Sequence, residues 1–291
     1  MLIGTVLLWA LNATVSKYLL THGWQPLAYG TIRYFAAIVL FWIFTYVRER
    51  SFRVARADFR LVAFSAVTLF VNQVCFVYGV KWTTASTVAL MFGTTPVIIG
   101  ALTMAAGLGR LGRRFWAAGA ITFAGVGLVA AGSGGGLSGN LKGDLVALAA
   151  AATWAVYSMS VAPLMERYSP FRISALVLAL GWLPLAFVAA PQVESQSFSF
   201  GWVAWLGLGF GVVGPLFLTN ILWFTAIERV GAPRAALFSN LQPIFAVVFA
   251  IVLLSEQLHN LQVAGGVLIF AGVAVERIRR TASRMPEAPI E

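Results

Sequence analysis

Apolar stretches approaching twenty residues recur along the whole chain, separated by short polar connections. A stretch of that length crosses about 30 Å of hydrocarbon at about 1.5 Å per residue. Backbone groups in lipid must be paired internally, so only helices or a closed barrel can cross. The runs are continuously apolar rather than alternating with period two, and they are rich in Ala, Leu and Gly; that pattern is helical. Ten spans are predicted, over 3–20, 27–47, 61–80, 86–106, 115–132, 145–162, 171–190, 203–226, 235–254 and 261–275. The longest connections, 48–60, 133–143 and 191–201, are too short to hold a folded domain. Function must therefore live among the helices.

The same pattern repeats. Sliding the chain by 147 residues aligns 85–127 with 232–274 without a gap. Ala85/Ala232, Leu90/Leu237, Pro96/Pro243, Leu111/Leu258 and Gly119/Gly266 coincide, and Phe123-Ala124-Gly125-Val126 matches Phe270-Ala271-Gly272-Val273. Nearby offsets match Trp9-Ala10 to Trp154-Ala155 and Pro26 to Pro170. The expected organisation is a first five-helix repeat over 1–132, an outer linker over 133–144, a second five-helix repeat over 145–275, and a polar, disordered tail over 276–291. Five is odd, so the second repeat enters the membrane from the opposite side. Inverted pairs of this kind suit secondary transporters, whose halves exchange conformations to open a midplane site to each side in turn. A duplication that only built a bundle, as in a channel or a non-transporting scaffold, is the rival reading.

Composition agrees: 10% of the 291 residues are charged, 60% are hydrophobic and mean hydropathy is +0.86. A soluble domain carries about a quarter charged residues. The net charge of +10 changes the picture only through its placement. Five Arg lie between 48 and 60, and more lie at Arg110, Arg113, Arg114, Arg167, Arg172, Arg229 and Arg234 and in the tail. These sixteen share one side of the predicted topology, against Lys81 and Lys142 on the other. Cytoplasmic loops retain Lys and Arg, so both termini are expected in the cytoplasm of a bacterium's inner membrane. The basic charge then reflects topology and anionic lipid, with no nucleic-acid partner. The single cysteine, Cys75, permits no intramolecular disulfide and no CxxC site. No cleavable signal peptide is expected.

These residues resemble a family, the drug/metabolite transporter superfamily, and within it the ten-span EamA-type proteins. The resemblance covers nearly the whole chain. It is carried by LLWALNATVSKYLL and ATWAVYSMSV opening the halves, by ASTVALMFGTTPVI and APRAALFSNLQPIFAVVFAIVLLSEQL later in each, and by the closing GxxxFAGV. The first half departs where the second has Ser255-Glu256-Gln257: it has Leu108-Gly109-Arg110, so no acidic role carries over to Gly109. The resemblance implies a transporter of amino acids, other small metabolites or nucleotide sugars, and does not by itself fix the substrate; bacterial exporters of amino acids, aromatic ones included, are nearest by size and topology.

Candidate site residues follow from helical faces. Thr5, Trp9, Asn12 and Ser16 are spaced 4, 3 and 4 on span 1, and span 6 carries Trp154 and Tyr157. A polar stripe facing lipid would leave Asn12 unpaired at a cost of kilocalories, so this face points inward, toward a cavity or a helix–helix hydrogen bond. Spans 3 and 8 add Asn72, Phe76 and Tyr78 against Thr219, Asn220 and Trp223, and Asn240 and Gln242 flank Pro243. Pro96 and Pro243 each remove a backbone hydrogen bond near mid-span, which makes them paired hinge candidates. Asn240 and Gln242 beside Pro243, and Thr94 and Thr95 beside Pro96, are placed to hydrogen-bond either the groups that the prolines free or a ligand. Apart from Arg172 at the edge of span 7, Lys17 and Arg33 are the charges inside predicted spans, expected to snorkel to the outer headgroups or to line an outer vestibule. The absence of Asp and Glu from the span interiors suggests movement down the substrate's own gradient, as in a facilitator or exchanger.

An enzyme is not expected, because His22 and His259 stand alone and no carboxylate cluster exists for metal or acid–base work. No cofactor or metal is expected. The expected partners are a small-molecule substrate and the lipid bilayer, in a monomer or weak homodimer; Gly207/Gly211 is a lone GxxxG.

Overall fold

The computed structural model describes residues 1–107, 113–132, 141–219, 221–223 and 241–282; their regular structure is helical, with no strand among the described residues. Six helices run near the predicted spans: α1 (Leu2–Thr21), α2 (Pro26–Glu49), α3 (Phe59–Trp82), α4 (Ala85–Phe92), α5 (Thr95–Ala105) and α6 (Arg113–Gly132). Five more follow: α7 (Leu141–Met165), α8 (Pro170–Ser195), α9 (Trp202–Val212), α10 (Gln242–Leu254) and α11 (Asn260–Ala282). Pro26 and Pro170 open α2 and α8, where the missing N–H costs nothing and φ is already helical. Ser169 accepts the Arg172 N–H at 3.1 Å and Thr84 accepts the Thr87 N–H at 3.1 Å, each satisfying an orphan donor of a first turn.

Among the described residues, six helices are long and apolar enough to cross a membrane, or seven when α4 and α5 count as one broken span. The apolar parts of α6, α10 and α11 are shorter. Large apolar side chains such as Phe35, Trp42, Tyr46, Phe187 and Trp202 are exposed on the outside, where a membrane protein meets lipid.

Three local departures from the predicted spans shape the interior. Span 4 breaks at Gly93–Thr94, with a 41° bend between its parts. Because the break precedes Pro96, the proline falls in the first turn of α5. The Phe92 carbonyl that Pro96 leaves unpaired is taken by Thr95 Oγ1 at 2.7 Å. Helix α7 begins at Leu141, drawing Asp144 into its first turn, where it is buried and accepts from Thr83 Oγ1 at 2.6 Å. Beyond Val212, α9 continues as a π-helix over Val213–Leu218.

Packing uses glycine where helices cross. A Cβ on Gly125 would sit 2.6 Å from the Gly265 carbonyl, and one on Gly265 would sit 2.5 Å from that of Gly125. Thus α6 and α11 meet backbone to backbone, the small-residue packing suited to lipid. The repeated FAGV run is explained at both of its glycines, since Gly272 lies equally tight against Ala118 and Thr122. Elsewhere α2 packs on α8, α3 on α7 and α8, and α1 on α10.

Candidate functional site

Arg33, about two turns into α2, is 1% exposed. Its Nη1 donates to Asn12 Oδ1 of α1 at 3.0 Å and to the Tyr29 hydroxyl at 3.2 Å, while Nη2 donates to Gln73 Oε1 of α3 at 3.0 Å. Tyr29, in turn, shares a 3.0 Å hydrogen bond with Ser16. Gln73 donates to Asn72 Oδ1 at 3.4 Å, and Asn72 donates to the Ala150 carbonyl of α7 at 2.8 Å. One chain of amides therefore ties α1, α2, α3 and α7 around a guanidinium. The rings of Tyr29, Tyr34 and Phe76 surround it at 4.9, 5.7 and 5.6 Å, which offsets part of the cost of burying the cation. Phe76 also contacts Phe92, at the break between α4 and α5.

Beside this cluster, on the same face of α1, Trp9 Nε1 donates to Thr219 Oγ1 at 3.0 Å. Trp9 packs against Trp223 with ring centroids 5.2 Å apart. Trp154 and Tyr157 pack on one another along α7, ring centroids 5.3 Å apart and tilted by 44°, with Tyr157 against the core. The structure thus gathers Trp9 with Trp223, and Asn12 with Arg33, Gln73 and Asn72.

Other predicted residues fall elsewhere. Tyr78 lies about 9 Å beyond Asn72 along α3 at 1.5 Å per residue; its hydroxyl accepts from Gln192 of α8 at 3.0 Å, and its ring packs on Trp82. Gln242 and Pro243 open α10. Asn220 and Asn240 lie outside the described residues, as does the stretch that precedes Leu241.

Lys17 and Arg33, paired in the sequence reading as outer cations, part company, and neither snorkels freely. Lys17 Nζ donates to the carbonyls of Val80, Lys81 and Thr83 at 3.0, 3.2 and 2.5 Å, closing the C-terminal end of α3, where a cation is favoured. Arg33 is held by three neutral acceptors, Asn12, Tyr29 and Gln73. The GxxxG pair also has an internal use: a Cβ on Gly207 would meet Leu19 at 3.1 Å, and one on Gly211 would meet Arg33 Cδ and the Tyr29 hydroxyl at 3.1 Å.

Toward each end of the bundle, side chains tie one segment to another. Near Lys17, a left-handed turn at Ser255 ends α10, and Glu256 accepts from the Ala85 and Ser86 amides at 2.8 and 3.1 Å and from Ser86 Oγ. A carboxylate thus caps the N-terminus of α4. Gln196 and Gln192 accept from the Gln25 and Leu27 amides at 2.7 and 2.8 Å, and Trp24 stacks on Phe200. At the other end, Asp58 pairs with Arg167 at 2.7 Å and accepts from Tyr168, while Glu49 pairs with Arg172 at 2.7 Å.

Sequence reasoning missed Gln73, Tyr29 and Gly211. Gln73 adjoins Asn72, and Tyr29 stands one helical turn before Arg33, a spacing that would have placed both on one face of α2. No group of three or more His, Cys, Asp or Glu suited to a metal occurs among the described residues.

Against known proteins, the family model described as the EamA-like transporter family matches residues 1–131 and again 141–276. The chain is 25% identical over 265 residues to "Uncharacterized transporter YetK" of Bacillus subtilis, covering 88% of this chain and 79% of that protein. It is 29% identical over 244 residues to a "Probable terminal-alkyne amino-acid exporter" of Streptantibioticus cattleyicolor, covering 79% and 77%. A solved crystal structure superposes over 98% of both chains at a TM-score of 0.66 and 18% identity, a likeness of fold.

Proposed function

We propose that this chain, which belongs to the EamA-like transporter family and is an integral membrane transporter, carries amino acids, aromatic ones included, by alternating access. The observation that carries this reading is the buried constellation of Arg33, Asn12, Gln73 and Asn72 beside Trp9 and Trp223. A pocket with mostly apolar walls and a few placed polar groups suits a small zwitterion with an apolar side chain. A phosphorylated substrate would call for several buried cations, and one guanidinium matches a single negative charge. Trp154 and Tyr157 of α7 would contribute further aromatic wall.

The helix pairing supports two inverted halves of five spans each. Helix α2 packs on α8 and α6 on α11, each joining a helix to its counterpart in the repeat, and α4 of span 4 packs on α10 of span 9. The contact of α1 with α10 is mirrored by that of α7 with α4 and α5. The break at Gly93–Thr94 gives the first half a hinge beside Pro96, and Pro243 holds the equivalent position at the start of α10. The loop arginines favour an inner membrane with cytoplasmic termini. The likeness to the probable amino-acid exporter of Streptantibioticus cattleyicolor supports an amino acid as the cargo.

Counterflow in proteoliposomes with radiolabelled amino acids is the test. Saturable uptake stimulated by unlabelled amino acid on the far side is expected. Linear, unsaturable flux would make the protein a channel, and an absence of flux for all amino acids would overturn the substrate class.

A further inference from the structure

Arg33 is fully buried, yet every group that accepts from it is neutral. A buried charge without a counter-charge is costly, and an ionisable residue inside a membrane marks a functional site. The ion pairs formed among the described residues, Arg167–Asp58 and Arg172–Glu49, lie at the end of the molecule and leave Arg33 without a carboxylate. Its donors are not exhausted either. Nη1 spends both hydrogens on Asn12 and Tyr29, Nη2 spends one on Gln73, and Nε has no partner at all. Nε and Nη2 form one edge of the planar guanidinium, the edge that forks onto the two oxygens of a carboxylate.

Two further observations bear on this position. The side-chain-free Gly211 lies against the Arg33 stem. Immediately beyond it, α9 becomes π-helical over Val213–Leu218, a geometry frequent at functional sites. On the other flank Asn12 stands three residues from Trp9, whose ring meets Trp223.

We propose that the Nε–Nη2 edge of Arg33 is the anchor for a single substrate carboxylate, with the rest of the substrate lying against Trp9 and Trp223. The proposal rests on the amino-acid reading above and narrows it: the carboxylate, rather than the amine, carries recognition. Asn12, Tyr29 and Gln73 are positioning residues that hold the guanidinium plane, leaving the buried Nε–H without an acceptor until a carboxylate reaches it. When no substrate is bound, the aromatic faces of Tyr29, Tyr34 and Phe76 stabilise the cation in place of an anion.

The test is thermal stabilisation of the purified full chain by three probes of one shape. Phenylalanine carries both charged groups, 3-phenylpropanoate the carboxylate alone, and phenethylamine the amine alone. Stabilisation by the first two and none by the third is expected, together with an apparent affinity about 10- to 100-fold weaker in Arg33→Gln. Arg33→Lys, which keeps the charge but loses the fork, is expected to fall between. Equal stabilisation by phenethylamine, or an undiminished carboxylate preference in Arg33→Gln, overturns the assignment. So does failure of the wild-type chain to respond to these or to a panel of aliphatic and dicarboxylic acids. Counterflow separates the two readings: if 3-phenylpropanoate exchanges and amino acids do not, the amino-acid cargo falls and the Arg33 anchor stands.

Discussion

Where α6 crosses α11, backbone meets backbone across Gly125 and Gly265, with no polar side chain from either glycine. Where α1, α2 and α3 meet, the space is filled instead by Arg33, Asn12, Gln73 and Tyr29 in a hydrogen-bonded group. Both regions are buried, and both lie within segments that the family model matches. The first is complete as it stands, because close-packed carbonyls and Cα atoms leave nothing unsatisfied. The second keeps an unpartnered Nε–H. On the proposal above, that N–H is the group that a substrate carboxylate meets.

The comparison breaks most easily at the glycine crossing. Gly125→Leu puts a side chain into backbone 2.6 Å away, and overpacking of this kind costs about 3 kcal/mol or more. Loss of monodisperse protein on size-exclusion chromatography is expected; an unchanged profile would deny that the crossing is closed. Asn12→Ala should act differently. It leaves the fold in place but lets the guanidinium plane turn, so apparent KM in exchange should rise about tenfold, while unchanged transport in this variant and in Trp154→Ala would sink the aromatic and amide face as a binding surface.

Smaller effects are expected at charges already satisfied. Glu256→Gln removes the anion from the α4 N-terminus and should lower unfolding free energy by about 1 kcal/mol, read from thermal midpoints at matched detergent. Lys17→Met, which uncaps α3, should cost less and leave the preference for carboxylate over amine untouched. A shifted preference there would return Lys17 to the binding surface. Thr95→Val should be the mildest, a few tenths of a kcal/mol, because the Phe92 carbonyl then loses a local partner at a site already broken.

Much of the fold was legible in the sequence because lipid enforces a simple rule: long apolar runs become helices, and their ends follow the polar connections. The break in span 4 was only half legible. Pro96 announced an interruption, but its location before the proline depends on Gly93 and on Thr94 and Thr95, whose hydroxyls take the Met91 and Phe92 carbonyls. The stripe of Trp9, Asn12 and Ser16 was legible as an inward face, yet what it faces was not. The sequence reading set Arg33 beside Lys17, but its acceptors Asn12 and Gln73 could not be read from it, because a helical wheel gives direction on one helix and says nothing about acceptors on two others. Tyr78 shared a helix with Asn72 and was grouped with it, although its hydroxyl is engaged by Gln192 of α8.

Composition and periodicity alone determined that this is a helical membrane protein with an internal repeat, since burying a backbone in hydrocarbon leaves few alternatives. They also determined that its interior holds few charges. Only the tertiary structure decided that one of those charges closes a helix end while the other stands in a ring of neutral acceptors. Hydrogen-bond satisfaction is a property of several segments brought together, and no single stretch of sequence carries it.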